Sequence, residues 1–305
     1  MNEIIKITYR LTLSCLIAAF VMGAVFTVTD KAKKHNEHLN VQETMFDLLG
    51  YSKNNPAPSD LKLYNVYRYI IEEGGGNKYL GYMVPVEKQG KERYILVTIS
   101  LKGEFLTQYE MDISPEEAIE APERDKALKA VLKPPKDFSY ADTTIIAKLG
   151  DKRLAYLLPG EFPGFKTFIS VMLALDPDFN ILGLEIMEHE EDPGLGGEIE
   201  QEYFKNQFKD KTFKKVKELQ VVKEPLPQDY RRYLETQKRG KGVFSREEIE
   251  RIRSKYQDHD IYALTGATIS SKAVTAGVKN MVKKFAYRVK MLDNVIANQN
   301  VPIVF

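Results

Sequence analysis

LTLSCLIAAFVMGAVFTVT, Leu11–Thr29, carries no charged side chain, and this run constrains the chain more than anything after it. A helix needs about 20 apolar residues to cross the hydrocarbon core of a bilayer, where every backbone N–H and C=O must be bonded internally. Lys6 and Arg10 precede the run; Asp30, Lys31, Lys33 and Lys34 follow it. A cleaved signal peptide shares the basic start and apolar middle. Leu11–Thr29 is long for such a peptide, no A-x-A site closes it, and Cys15 stands too early in it for lipid attachment. The expectation is one uncleaved transmembrane helix at 11–29 behind a short tail at 1–10. Basic residues flank both ends, so the positive-inside rule does not orient it.

The 305 residues are 43% hydrophobic and 29% charged, enough to bury one large domain or two small ones. A formal net charge of +1 argues against nucleic acid as the main partner, because phosphate binding needs a basic excess. Four His and one Cys exclude iron–sulfur clusters, and no CxxCH is present for haem attachment. If this protein moves electrons, the carrier is organic.

After the span, Leu39, Met45, Phe46 and Leu49 fall near one helical face, with Gly50 as a stop, and SKNNPAPSD reads as a linker; together these make a stalk at 30–60. From Leu63 onward β-like runs take over: Tyr79–Glu87, Arg93–Leu101 and Glu104–Ile113, then Ala155–Gly160, Phe165–Asp176 and Ile181–His189. Between the two sets, Ser114-Pro115 predicts a helix start and Pro134-Pro135 its stop after Leu132. The two sets share a strand–turn–strand outline, a weak sign of a repeat. Asp229–Gln257 is strongly charged and reads as a solvated helix and loop, with Ser245-Arg-Glu-Glu248 as a capping box. From Ser270 to about Ala297 an apolar stripe of Val274, Val278, Met281, Phe285, Val289, Leu292 and Ile296 predicts a long amphipathic helix. The fold class expected is α+β: antiparallel sheet flanked by helices over 61–290, with a tail at 291–305.

Two segments resist a purely structural account. EHEEDPGLGGEIE, Glu188–Glu200, follows a strand, and its glycines allow a ligand close to the backbone amides. An ordinary exposed loop is one reading. A metal held by His189 and Glu191 is another, although one His without a spaced partner makes a poor metal site. The second segment is LTGATISS, Leu264–Ser271, with four hydroxyls where a helix start needs one as a cap. Thr268 as the nucleophile of a hydrolase finds no GxSxG and no identifiable base. A helix N-terminus, with free N–H groups and the positive end of the dipole, suits a phosphate better.

Thr265-Gly-Ala-Thr268 resembles the [ST]-G-A-T signature of the FMN-binding domain family, found in the G subunit of Rnf complexes and in the C subunit of the sodium-pumping NADH:quinone reductase (Nqr). His189-Glu-Glu191-Asp-Pro-Gly-Leu-Gly196 is similar to that family's upstream H-x-E-T-P-G-L-G loop, and the N-terminal anchor also matches. The resemblance covers most of residues 60–290. It departs at Asp192, where the family has Thr, and at Tyr262, where an Asp is common; Asp260 stands close by.

The resemblance implies FMN joined by a phosphoester to Thr268, installed by a dedicated flavin transferase. Thr265, Ser270 and Ser271 would be donors to the phosphate or helix caps, and Gly266 and Ala267 would leave it room. His189, Glu191, Pro193, Gly194, Leu195 and Gly196 would form a loop across the flavin, Leu195 on the ring and His189 orienting the loop. It further implies an electron-relaying subunit of an ion-translocating complex in a bacterial inner membrane, its soluble domain on the periplasmic side and other membrane subunits as partners. GATISSKAV looks closer to the Rnf subunit, while PGLGGEIE with QEYFKNQF looks closer to the Nqr subunit; the Rnf reading is preferred. A non-redox anchored binding or assembly module is the alternative of another class. One span without an internal acid or base is a poor ion path, so translocation would belong to the partners.

Overall fold

The computed structural model describes residues 2–236 and 244–305; the middle of the charged stretch, 237–243, lies outside the described residues, as does Met1. The chain divides into two compact units at Asp47/Leu48. The first is helical, part of one helix, α1 (Asn2–Leu48), with no break between the expected tail, span and stalk. Within it, Glu3–Phe26 is long and apolar enough to cross a membrane.

The second unit is built on an eight-stranded antiparallel sheet. Its strands are β1 (Leu61–Glu73), β2 (Asn77–Lys88), β3 (Lys91–Ser100), β4 (Phe105–Met111), β5 (Asp137–Leu149), β6 (Lys152–Pro163), β7 (Phe168–Leu175) and β8 (Ile181–Glu188). The spatial order is β4-β3-β2-β1-β5-β6-β7-β8: two four-strand meanders joined side by side through β1 and β5. Each meander is a run of short turns between neighbours, which is why both halves show the same outline in sequence. The helix between them, α2 (Ala121–Val131), starts later than Ser114. Ser114 and Glu117 exchange side-chain bonds with each other's amides around a short 3-10 turn instead, and Pro122 opens the helix proper.

Alternation sends successive side chains of a strand to opposite faces. Tyr67, Tyr69 and Ile71 of β1 join Met83, Leu96, Leu128 and Leu132 under α2. Val66, with Tyr82 and Val84 of β2, joins a larger core on the other face beneath α7 (Thr268–Asn298). Of the expected stripe on α7, Val274, Val278, Phe285, Val289, Leu292 and Ile296 are buried and Met281 is half-buried. The chain past 290 is no separate tail: α7 continues to Asn298, and Val301 and Val304 are buried, with Ile303 bridging to Val86 of β2.

Between β8 and α7 lie the short α3 (Glu202–Lys205), α4 (Phe213–Val216), β9 (Val221–Val222), α5 (Gln228–Thr236), α6 (Arg246–Tyr256) and β10 (Ile261–Tyr262), the two strands pairing in parallel. The charged segment is more than a solvated face. Tyr230, Tyr233, Leu234, Ile252, Tyr256 and Tyr262 form a core of their own, with Tyr230 and Tyr256 stacked at 4.3 Å. Ser245 and Glu248 do form the capping box of α6.

Candidate functional site

The parallel pair β9–β10 delivers the chain to Ala263, and the signature turn follows. Leu264 O accepts from Ala267 N (3.1 Å) across a tight turn, which Gly266 makes possible at φ +76°. Neither Thr nor Ser caps α7. The N-cap is Ala267, which has no side-chain oxygen, and Ser271 reaches back from inside the helix instead. Its Oγ accepts from Leu264 N (3.0 Å) and donates to Ala267 O (2.9 Å), so one hydroxyl braces both ends of the turn. The first helical bond runs from Ser271 N to Ala267 O, leaving the amides of Thr268, Ile269 and Ser270 at the open helix end. Ser270 donates its hydroxyl to the Glu191 carboxylate. Two hydroxyls remain: Thr265 is exposed, Thr268 half-buried, and neither has a hydrogen-bond partner among the described residues.

The upstream loop leaves β8 at Glu188 and folds onto this helix end. Its Asp192 carbonyl accepts from Leu195 N (3.1 Å) and Gly197 N (2.9 Å), and Gly194, after Pro193, takes φ +74°. His189 Nδ1 accepts from Glu191 N (3.0 Å), which ties the loop to its own base. Nε2 lies 2.7 Å from Glu200 but off the line of a hydrogen bond. Asp192, the departure from the family pattern, pairs with Lys166 at 2.5 Å.

Glu191 is the joint between the segments. It is buried; one carboxylate oxygen accepts from Phe165 N (2.7 Å) and Lys166 N (3.1 Å), and the other from Ser270. Burial alone would raise its pKa, but the Ser270 hydroxyl and the two amides outweigh it and hold the carboxyl below the usual range. Gly196 packs where no side chain fits: a Cβ there would come within 2.5 Å of Glu191 and 2.8 Å of Ser270. The same holds between the motifs, since a Cβ on Gly266 would lie 2.8 Å from Leu195. The loop and the signature are therefore in contact.

A cleft of about 370 Å³ opens where they meet, with Gly194 and Thr265 on its rim. Its other walls include Tyr203, Gln207, Leu226 and Arg231, which sequence reasoning missed. The only signal for the first two was the aromatic run QEYFKNQF. Tyr203 donates to Glu198 (2.5 Å) beneath the Arg231 guanidinium, 4.2 Å from its ring; burial, then Glu198, pushes its pKa up to about 12. Buried Gln207 holds the strand before the signature, accepting from Tyr262 N (2.7 Å) and donating to Tyr262 O (3.3 Å). Tyr262, where the family often has Asp, turns its ring into the tyrosine core and its hydroxyl to His259 Nδ1 (3.0 Å). Asp260 does not stand in for that acid: it pairs with Lys215 (2.7 Å) and caps Gln220 N (3.2 Å). Around the site Phe165, Phe168, Leu195 and Ile269 are exposed, an apolar rim on a polar cradle.

Comparison with known proteins falls on the same residues. Residues 164–283 match the sequence profile of the FMN-binding domain family. The chain is 34% identical over 138 residues to the G subunit of the proton-translocating ferredoxin:NAD(+) oxidoreductase complex of Clostridium ljungdahlii. That match takes in 45% of this chain and 57% of the relative, so the chain spans little more than half of the curated protein it resembles. Among solved structures it is similar to Shewanella oneidensis NqrC (21% identity, TM-score 0.32, 48% of this chain and 58% of that one). It is also similar to the C subunit of the Na(+)-translocating NADH-quinone reductase of Parabacteroides distasonis (18%, TM-score 0.32, 64% and 74%). The matched segment begins in the β6–β7 turn, holds both motifs, and ends inside α7, so what this chain shares with the FMN-binding domain family lies in residues 164–283.

Proposed function

We propose that this chain is a membrane-anchored flavoprotein subunit that carries FMN as a phosphoester on Thr268 and relays electrons within an Rnf-type ion-translocating ferredoxin:NAD oxidoreductase complex. The carrying observation is the Thr268 hydroxyl, without a hydrogen-bond partner among the described residues, at an open helix end inside TGAT and beside the PGLG loop. Every neighbouring hydroxyl of α7's first turn is spent on structure, by Ser270 on Glu191 and by Ser271 on the turn. A phosphate fits what is left: three free amides, the positive end of a long helix, and a turn without side chains at Gly266. Thr268 Oγ would bond the phosphorus as a phosphate-anhydride bond of a flavin dinucleotide donor breaks, the hydroxyl proton going to solvent and the donor's nucleotide part leaving as a monophosphate. The amides of Gly194 and Gly196, the Leu195 side chain and the Tyr203 cleft would hold the rest of the group. Bound FMN supplies one- and two-electron transfer, while the chain orients it, excludes water with the apolar rim and sets the local charge.

The helix Glu3–Phe26 supports a single-pass anchor; an inner membrane with the domain on the periplasmic side is what the family resemblance implies. A flavin transferase would mature the site, and further membrane subunits would supply donor, acceptor and ion path. The similarity to the G subunit of the Clostridium ljungdahlii complex favours the Rnf-type reading; the C subunit of an Nqr complex is the second reading, and a non-redox assembly module the third. Protein made in cells with the flavin transferase should give a fluorescent band in a denaturing gel, lost in Thr268→Ala and kept in Thr265→Ala. A dark wild-type band sinks the covalent reading.

A further inference from the structure

Along its length α7 crosses β5 and β6, and between them lies a trough of about 380 Å³, away from the signature turn. Gly277 and Arg288 both line it; they are three helical turns apart, about 16 Å. Pro159, Phe162 and Met281 give it an apolar wall, and Asn280, Lys284 and Arg288 a polar one.

The charge at its Arg288 end is not balanced. Arg68 Nε and Nη2 donate to Asp142 at 3.0 and 2.6 Å, and Arg288 Nη1 lies 3.1 Å from the same carboxylate. Lys284, one turn earlier, is exposed and has no ion-pair partner among the described residues. Against these three cations stand Asp142 and, also lining the trough, Glu161. Burial pulls Arg288 below the ordinary guanidinium range; Asp142 offsets this and Arg68 adds to it. A small chamber of about 20 Å³ adjoins the trough, sharing Asp142, Thr144 and Arg288 with it. Tyr82 lines that chamber, and its buried hydroxyl has no hydrogen-bond partner among the described residues. Two guanidiniums on one carboxylate, a free ammonium and an orphan hydroxyl form a donor set that lacks an acceptor.

We propose that this trough binds an organic phosphate carrying a short apolar chain, with Arg288 and Lys284 on the phosphate oxygens and Pro159, Phe162 and Met281 along the chain. A phosphate presents several acceptors to a guanidinium and an ammonium at once. Tyr82 completes the set, directly or through the single water its chamber can hold. The shared chemistry is the phosphate; free phosphate and the head group of a lipid-like molecule differ in whether they use the apolar wall.

Calorimetric titration of the full-length, flavin-carrying protein in detergent separates these, with inorganic phosphate and hexyl phosphate as probes and empty micelles as blank. Hexyl phosphate should bind at least tenfold more tightly than inorganic phosphate. Arg288→Gln should weaken it more than tenfold and Lys284→Gln several-fold, both with the in-gel flavin signal intact. Should Arg288→Gln fail to fold because Asp142 loses a partner, Lys284→Gln carries the test alone, its side chain being exposed and unpaired. No saturable binding, equal affinity for both probes, or affinity unchanged in the variants overturns the proposal. The flavin band reports on Thr268 independently, so either reading can fail without the other.

Discussion

Ser270 and Glu191 stand 79 residues apart and share a buried hydrogen bond, hydroxyl to carboxylate. Through it the first turn of α7, the upstream loop and the β6–β7 turn at Phe165 and Lys166 are fastened at one point. Glu191→Ala orphans three donors and should cost about 2–4 kcal/mol in denaturant unfolding, while Glu191→Gln, which keeps the shape, should cost less. The carboxyl's pKa is depressed on folding, so its contribution is fully present above the unfolded value of about 4.3 and fades as pH falls through the lower folded value. A pH series of melts should show the Gln variant missing that part of the wild-type acid slope; identical slopes would contradict it.

The hydroxyls of the signature should divide sharply in a stability scan of flavin-free protein. Ser271→Ala removes an oxygen that bonds Leu264 N and Ala267 O and should cost about 1–3 kcal/mol. Thr268→Ala removes one without a partner among the described residues and should stay within about 0.5 kcal/mol of wild type. A large loss in Thr268→Ala would mean that its hydroxyl serves the fold.

Lys211 is buried, its ammonium donating to Gln257 O (2.9 Å), and burial drops its pKa to about 8. Between about pH 8 and the unfolded value of about 10.4 the unfolded chain binds more protons, so this residue makes stability rise with pH in that window. Lys211→Met should flatten the alkaline rise and add about 1–2 kcal/mol at pH 7, the relieved burial of charge exceeding the lost bond. Urea midpoints at pH 7 and 9.5 decide it, and an unchanged alkaline rise would count against it.

Gly277 lets α7 settle on the sheet: a Cβ there would lie 2.3 Å from the Phe162 ring. Gly277→Ala should cost about 1–3 kcal/mol by overpacking. Phe162→Leu in the same chain should return part of it, a coupling a double-mutant cycle measures. Strictly additive losses would show that the two do not collide.

Most of the sheet was legible because its outer strands alternate or run apolar between turns. β5 was not: its middle reads Asp142-Thr143-Thr144, polar residues that line the trough, with Asp142 holding both Arg68 and Arg288. Nor could any pattern place β1 beside β5, since that pairing joins strands far apart in the chain. At the site, TGAT and the PGLG loop stood out from residue type and spacing. The cap did not, because Ser271 acts from within the helix rather than ahead of it. Gln207 and Arg231 reach the cleft only after α3 and α5 have packed, so nothing local marks them. Asp260 looked like a displaced acid by proximity in sequence, yet on β10's approach it faces Lys215.

The Ser271 brace has a bearing on the order of events in the cell. A turn held shut by its own helix has its shape before anything is attached to it, so an enzyme that modified Thr268 as proposed would meet a finished contour rather than a pliable peptide. Attachment would then decorate the architecture without building it. Chains bearing the group and chains lacking it should share one backbone, and the unmodified form would persist as a well-folded protein awaiting its cargo.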